Sequence, residues 1–432
     1  MKKTLLLALA TVVYSGSVWA QKTPTPLTAE KKYETEINAL ANRPRVKTAF
    51  QTILDLEPET RKDHLLLTQI PSPPFKEQVR AKKYAELLRA AGADSVWMDE
   101  VGNVLARRKG KTGKRTVVLE GHLDTVFPEG TDVTVKQRGD TLFAPGIGDD
   151  SRGLAVVLAV LKTMQKNNLR TEGDLLFVGT VGEEGLGDLR GVKHLFSGKG
   201  PKIDSYLSVD GSGIGPITNG GVGSVRYRVT YKGPGGHSYG SFGLVNPHQA
   251  LGRAIHYFTL EADQFTRMGP KTTYSVSVIG GGTSVNAIPF ESWMEVDMRS
   301  EDQSKLVGIN DLFLAAVQKG LQEENAIKRM GADLTVDVKK VGDRPSGMTE
   351  AKQPLIQRMI AISRYLKAEP SLHSSSTNAN IPFAKGVPAA TIGIGGVGGG
   401  AHSLNEWWMN DKGYLGIQQA LLIVLAEAGY TE

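Results

Sequence analysis

The chain has 432 residues, is 40% hydrophobic and 22% charged, and carries a formal charge of +6. This is the composition of a soluble globular protein with room for two or three domains of ~100–200 residues each. The absence of cysteine excludes disulfides, thiolate zinc ligands and a cysteine nucleophile. Lys and Arg are scattered without a basic run, which argues against a nucleic-acid partner.

In chain order, "MKKTLLLALATVVYSGSVWA" places two lysines, an apolar stretch and Val18-Trp19-Ala20 in succession. That order predicts a signal peptide over residues 1–20, cleaved after Ala20. The apolar stretch is shorter than the ~20 residues needed to span a bilayer. The expected mature protein is exported, periplasmic or secreted, with no stable membrane insertion. After a polar lead, apolar spacing predicts helices over 31–68 and 75–92. "RTVVLEGHLDTV" holds a buried strand around Val117–Leu119, and 148–168 reads as a loop feeding an apolar-faced helix. "GDLLFVGTVGEEG" and "IDSYLSVDGSG" are further buried strands. Strands alternating with helices predict an α/β domain with a mostly parallel sheet.

The pattern changes near residue 217. "GSVRYRVTYKG" alternates like a half-exposed strand, followed by a helix (246–262), two strands, a helix (302–323) and "DLTVDVKKV". That βαββαβ order predicts a ferredoxin-like α+β insert. The expected division is 21–216 and 341–432 in the α/β domain, with 217–340 between them. The glycine-rich "GIGGVGGG" (393–400) lacks the Lys-Ser/Thr ending of a phosphate loop.

Two adjacent glutamates, Glu183 and Glu184, end a core strand, where burying carboxylates is costly. His122, Asp149 and Asp210 stand at equivalent strand ends or helix entries, where open α/β sheets place their sites. With His402 they supply two imidazoles and three carboxylates around Glu183. This donor set suits two metal ions, zinc above all, when one carboxylate bridges. Glu184 is then a ligand, and Glu183 is free to act as general base. Gly182 and Gly185 must turn both glutamates into one cleft. Asp124, two residues after His122 on an extended segment, is expected to accept the second imidazole N–H. Trp407 and Trp408 read as packing for the final helix. Glu406 reads as orienting His402 or capping that helix.

"GHLDTV", "GIGDDSRG", "GEEGLGD", "SVDGSG", "GGHSYG" and "AHSLNEW" together resemble the metallopeptidase M20 family, in family order over residues 45–430. The spelling of "HSLNEW" and "GIGDD" leans towards its peptidase T-like branch. The resemblance implies a zinc-exopeptidase-like catalytic domain interrupted by a lid and dimerisation domain. It also implies two Zn²⁺ per chain, replaceable by Co²⁺ or Mn²⁺. His122 and Asp210 would hold one ion, Glu184 and His402 the other, and Asp149 both, with a cis peptide bond after Asp149. His237 would polarise the scissile carbonyl, in many relatives across a homodimer, and Asn286 and Arg299 would hold a substrate carboxylate. The implied activity is hydrolysis of an amide bond in a short peptide or N-acyl amino acid. Asn378 departs from the aspartate of related chains, which predicts altered packing or specificity with zinc binding kept. Two other readings are a non-catalytic peptide or amino-acid binding protein on this fold and a mononuclear esterase or peptidase. The intact Glu183 and the full ligand set argue against the first, since a pure binder need not keep the base; a metal count near one per chain would favour the second.

Overall fold

The computed structural model describes residues 27–432; the leader expected over 1–20 lies outside them. The helical spacing over 31–68 resolves into three helices, Lys31–Ala41, Pro44–Asp55 and Glu57–Thr68. Pro44 and Pro58 each open the next helix, in a first turn where no N–H is needed. Among the described residues no helix is long and apolar enough to cross a membrane.

A nine-stranded sheet forms the centre. Strand Thr116–His122 pairs in parallel with Asp174–Thr180 on one side and Ser205–Val209 on the other. Ala389–Ile392 continues the parallel run beyond Ser205–Val209. Antiparallel strands Val104–Arg108 and Ser95–Met98 finish one edge. The mainly parallel centre expected from the sequence is therefore present.

The continuous apolar runs of these strands follow from burial on both faces. In Asp174–Thr180, Leu175 and Phe177 join the core beneath helices Ser151–Lys166 and Tyr414–Ala428. The alternate residues Leu176 and Val178 join a second cluster on the opposite face with Val118 and Tyr206. The two-residue period of a strand thus feeds two cores from one segment.

A second sheet has the order Thr272–Gly281, Glu291–Ser300, Gly223–Lys232, Thr335–Arg344, all antiparallel. Helices Pro247–Phe265 and Gln303–Ala326 cover one face around Phe258 and Phe313. Asn246 and Asp302 cap these helices by accepting backbone N–H bonds from His248 and Lys305. This is the expected βαββαβ order, but its limits differ. Strand Pro216–Gly221 pairs within the large sheet, so the small sheet begins at 223, not 217. Its last strand runs to Arg344, past the expected 340, because it pairs with Gly223–Lys232 along its length.

Candidate metal centre

The parallel strands end on the same side, and their loops converge there. His122 is the last residue of its strand, and Asp210 follows Ser205–Val209 directly. Asp149 lies in the loop before helix Ser151–Lys166, with a cis bond to Asp150. His402 lies between strands Val397–Gly399 and Trp407–Met409 at a φ of 65°.

The Asp149 carboxylate sits between two imidazoles. Its Oδ1 is 3.0 Å from His122 Nε2 and its Oδ2 is 3.1 Å from His402 Nε2. His402 Nε2 is also 3.2 Å from Glu184 Oε1, and Asp210 Oδ1 is 4.0 Å from His122 Nε2. All five expected ligands are thus brought together. Donor atoms of His122, Asp149 and Glu184 fall within 4.8 Å of one another.

The electrostatics of the cluster ask for positive charge. Burial pushes the Asp210 carboxyl up to about 7, against the pull of His122. The carboxylates of Asp149 and Glu184 hold His402 up to about 10. Burial opposes charge on His122, yet its aspartate neighbours keep it well above its ordinary range. Burial also opposes charge on Asp149, and the two imidazoles outweigh it and hold that carboxyl below its usual range. A cluster that draws protons onto both imidazoles meets the same demand with cations, and imidazole and carboxylate are suitable donors. The residues present fit a metal pair.

Glu183 and Glu184 both face this cleft. Gly182, at a φ of 70°, makes the turn, and a side chain there would collide with Arg190 Nη1. Burial pushes Glu183 up to about 8, with the Arg344 guanidinium opposing. Arg344 Nη1 lies 3.2 Å from Glu183 Oε1, and its Nη2 donates to the Glu183 carbonyl.

Asp124 is corrected in detail. His122 Nδ1 is 3.0 Å from the Asp124 backbone carbonyl and 3.7 Å from its carboxylate. The carbonyl therefore fixes the tautomer. The carboxylate instead accepts the backbone N–H groups of Glu183 at 3.0 Å and Glu184 at 2.8 Å, so it holds the glutamate turn.

Among the described residues Glu406 makes no hydrogen bond or ion pair to His402 and caps no helix. Its carboxylate accepts the N–H groups of Gly146, Gly148 and Asp149 at 2.7, 2.8 and 2.9 Å, and so shapes the Asp149 loop. Asn378 lies behind the centre, donating to Glu120 Oε1 at 2.8 Å and Thr180 Oγ1 at 2.9 Å. An aspartate there would face the buried Glu120 carboxylate, which explains the asparagine as packing. Trp408 packs as expected, buried with its indole N–H on the Gly395 carbonyl. Trp407 does not, because its alternate position turns it into a cavity.

A cavity of about 420 Å³ opens over the cluster and is lined by Glu183, Arg226, Arg299, Arg344 and Ser376 among others. Arg226 Nε and Arg299 Nε each bind one oxygen of Asp297 at 2.7 Å. One carboxylate thus positions two guanidiniums, and the triad keeps a net positive charge. Arg226 and Arg344 escaped the sequence reading; the alternation of "VRYRV", which turns Arg226 to the same face as Arg228, was the one available signal. His237 and Asn286 are not part of this cavity. They lie on the paired segments Gly236–His237 and Ala287–Ile288 and the adjoining turn, where Ser238 N donates to Asn286 O at 2.9 Å and both side chains are exposed.

The chain is similar to known proteins in sequence and in fold. Carboxypeptidase G2 of Pseudomonas sp. (strain RS-16) is 25% identical over 267 residues, 60% of each chain. A putative [LysW]-lysine/[LysW]-ornithine hydrolase of Pyrococcus furiosus is 30% identical over 38% of this chain and 45% of that protein. The chain therefore spans about half the length of these curated relatives. Among solved structures, aminopeptidase PepT of Bacillus cereus aligns with a TM-score of 0.67 at 19% identity, covering 85% of this chain and 98% of that one. Human carnosine dipeptidase 1 aligns at 0.65 and 15% identity, covering 88% and 99%. The model of Peptidase family M20/M25/M40 matches residues 118–424, from the first ligand strand to the last helix, and the chain belongs to that family.

Proposed function

We propose that this chain is an exported hydrolase that cleaves the amide bond of a short peptide or N-acyl amino acid with two divalent cations. The observation that carries this reading is the Asp149 carboxylate, shared between His122 at 3.0 Å and His402 at 3.1 Å. His122 and Asp210 would hold one cation, Glu184 and His402 the other, and Asp149 both. Zinc suits these donors, and cobalt or manganese can replace it. When bound, the pair supplies Lewis-acid polarisation of the scissile carbonyl and a lowered pKa for water.

The chain's own residues do the rest. Glu183 takes a proton from water as the water oxygen bonds to the carbonyl carbon. It returns that proton to the nitrogen as the C–N bond breaks, leaving an acid and an amine. Arg344 holds the Glu183 carboxylate in place. Arg299 and Arg226 present guanidinium forks to a free carboxylate on the amine product. The relatives' names support this division: carboxypeptidase G2 and succinyl-diaminopimelate desuccinylase in sequence, carnosine dipeptidase in structure.

His237 joins the reading through a homodimer. Tyr239, Phe242 and Val285 are exposed around it, and strand Thr272–Gly281 is an unpaired sheet edge. An exposed apolar edge of this kind suits a second copy.

The test is a digest of di- to pentapeptides and N-acyl amino acids, read by mass spectrometry before chelation, after it, and after zinc is restored. Cleavage should vanish and return. Glu183→Ala should keep its metal and lose at least ~100-fold in turnover. Chelator-insensitive cleavage, or near-wild-type turnover in that variant, would sink the reading.

A further inference from the structure

The glycine-rich stretch 393–400 has no place in the chemistry above, yet it borders the centre. Strand Val397–Gly399 pairs with Trp407–Met409, with Gly399 opposite Trp407. A Cβ on Gly399 would lie 3.1 Å from Trp407 Nε1 and 3.3 Å from its ring carbons, so the indole rests directly on bare backbone. Beside it is a second cavity of about 300 Å³, lined by Ile394, Gly398, Ala401 and Trp407 among others. It meets the arginine-lined cavity at Asp149 and Asp210, which border both.

The two cavities differ in charge. Among the described residues no Lys or Arg lines the glycine-walled one, and its carboxylates are Asp149, Asp210 and Glu406. Glu406 is used by three backbone N–H groups. The Asp149 carboxylate faces both imidazoles, and Asp210 faces His122. Among the described residues no carboxylate of this lining is left to hold an α-ammonium group, and no Lys or Arg lines it to hold an acidic acyl group.

We infer that this cavity is the acyl-side subsite, with Trp407 as its specificity-determining wall. The substrate class is then an amino acid N-acylated by a neutral aromatic or branched aliphatic group. The acyl chain lies on Trp407 and Ile394, and the amino acid's carboxylate lies at Arg299 and Arg226. This rests on the proposed amide hydrolysis and narrows it: free-amine peptides and succinyl-type acyl groups are disfavoured, because the wall formed by buried Ile394 and half-buried Gly398, Gly399 and Trp407 offers neither charge a counter-charge for the water it would lose.

The experiment compares four derivatives of the same set of amino acids: 3-phenylpropanoyl, acetyl, succinyl, and the phenylalanyl dipeptide. The first and last differ only by the α-ammonium group. With the zinc-loaded full-length protein, kcat/KM for the 3-phenylpropanoyl series should exceed the other three by about tenfold or more. Trp407→Ala should reduce the 3-phenylpropanoyl to acetyl ratio about tenfold, and Trp407→Phe should restore most of it. Equal losses on both substrates in Trp407→Ala would make Trp407 a packing residue and overturn the assignment. Faster cleavage of the dipeptides or succinyl derivatives would overturn the subsite while leaving amide hydrolysis intact. No cleavage of any derivative would overturn the amide-hydrolase reading and the subsite with it.

Discussion

At the scale of single residues, the centre depends on groups that never touch a ligand donor directly. Glu406 fixes the Asp149 loop through three backbone N–H groups. Glu406→Gln keeps the shape but turns one oxygen into an N–H donor facing an N–H. Metal affinity should fall about 10–100-fold, as for lost outer partners elsewhere, with the fold's circular dichroism unchanged. Competition with a chromogenic chelator measures it, and unchanged affinity would remove Glu406 from the support of the site. Among the candidate ligands, His122, Glu184 and Asp210 were legible because they end apolar runs where a charge is otherwise unfavourable, and Asp149 because it enters an apolar-faced helix, whereas His402, in a glycine-rich loop, was legible only alongside them. Glu406 and Arg344 were not. One acts through backbone groups about 260 residues away, at Gly146. The other meets Glu183 across 161 residues. Neither relation leaves a local pattern. Asp124 shows the intermediate case: its proximity to His122 was readable, but which of its oxygens faces the imidazole was not.

At the scale of elements, the site requires helix Ser151–Lys166 to start close against the strand that delivers Asp210. Gly153 permits that approach. A Cβ there would collide with the Asp150 carboxylate and with the Val209 carbonyl, which is backbone and cannot rotate away. Helix propensity alone favours Ala over Gly by ~1 kcal/mol, but overpacking against fixed atoms costs ~1–3 kcal/mol. Gly153→Ala should therefore destabilise the protein. Gly252, inside helix Pro247–Phe265, meets nothing within 4 Å, so Gly252→Ala should instead stabilise. Denaturant unfolding of both variants gives the signs, and stabilisation by Gly153→Ala would show that the helix start can shift. Elements buried on both faces were readable from their apolar runs. The short strands Thr141–Phe143 and Trp407–Met409 were not, because they pair across a long sequence separation and carry no period of their own. Their pairing is what turns Trp407 toward the cavity, so the sequence assigned it to packing beside Trp408.

At the scale of the whole molecule, the small sheet reaches into the large one at the loop that carries Glu183. Arg344 binds Glu183, Arg226 Nη1 donates to the Gly185 carbonyl at 3.2 Å, and Asp343 N donates to Asp188 at 2.9 Å. The same unit carries His237 on a separate, exposed segment outside the cavity that holds Glu183. Within one chain the proposed base and the expected carbonyl-polarising histidine are therefore supplied to different places. A two-fold dimer through the small sheet would reunite them across subunits, because symmetry gives each site its neighbour's histidine. This makes a quantitative prediction. His237→Ala and Glu183→Ala should each be nearly inactive alone. After mixed refolding, heterodimers contain one site with both residues intact and one with neither. Random pairing then restores about a quarter of wild-type activity. Sedimentation should show a dimer for each variant and for the mixture. Activity that stays at the level of the separate variants, in a mixture shown to exchange subunits, would place His237 in its own chain's site or outside the reaction.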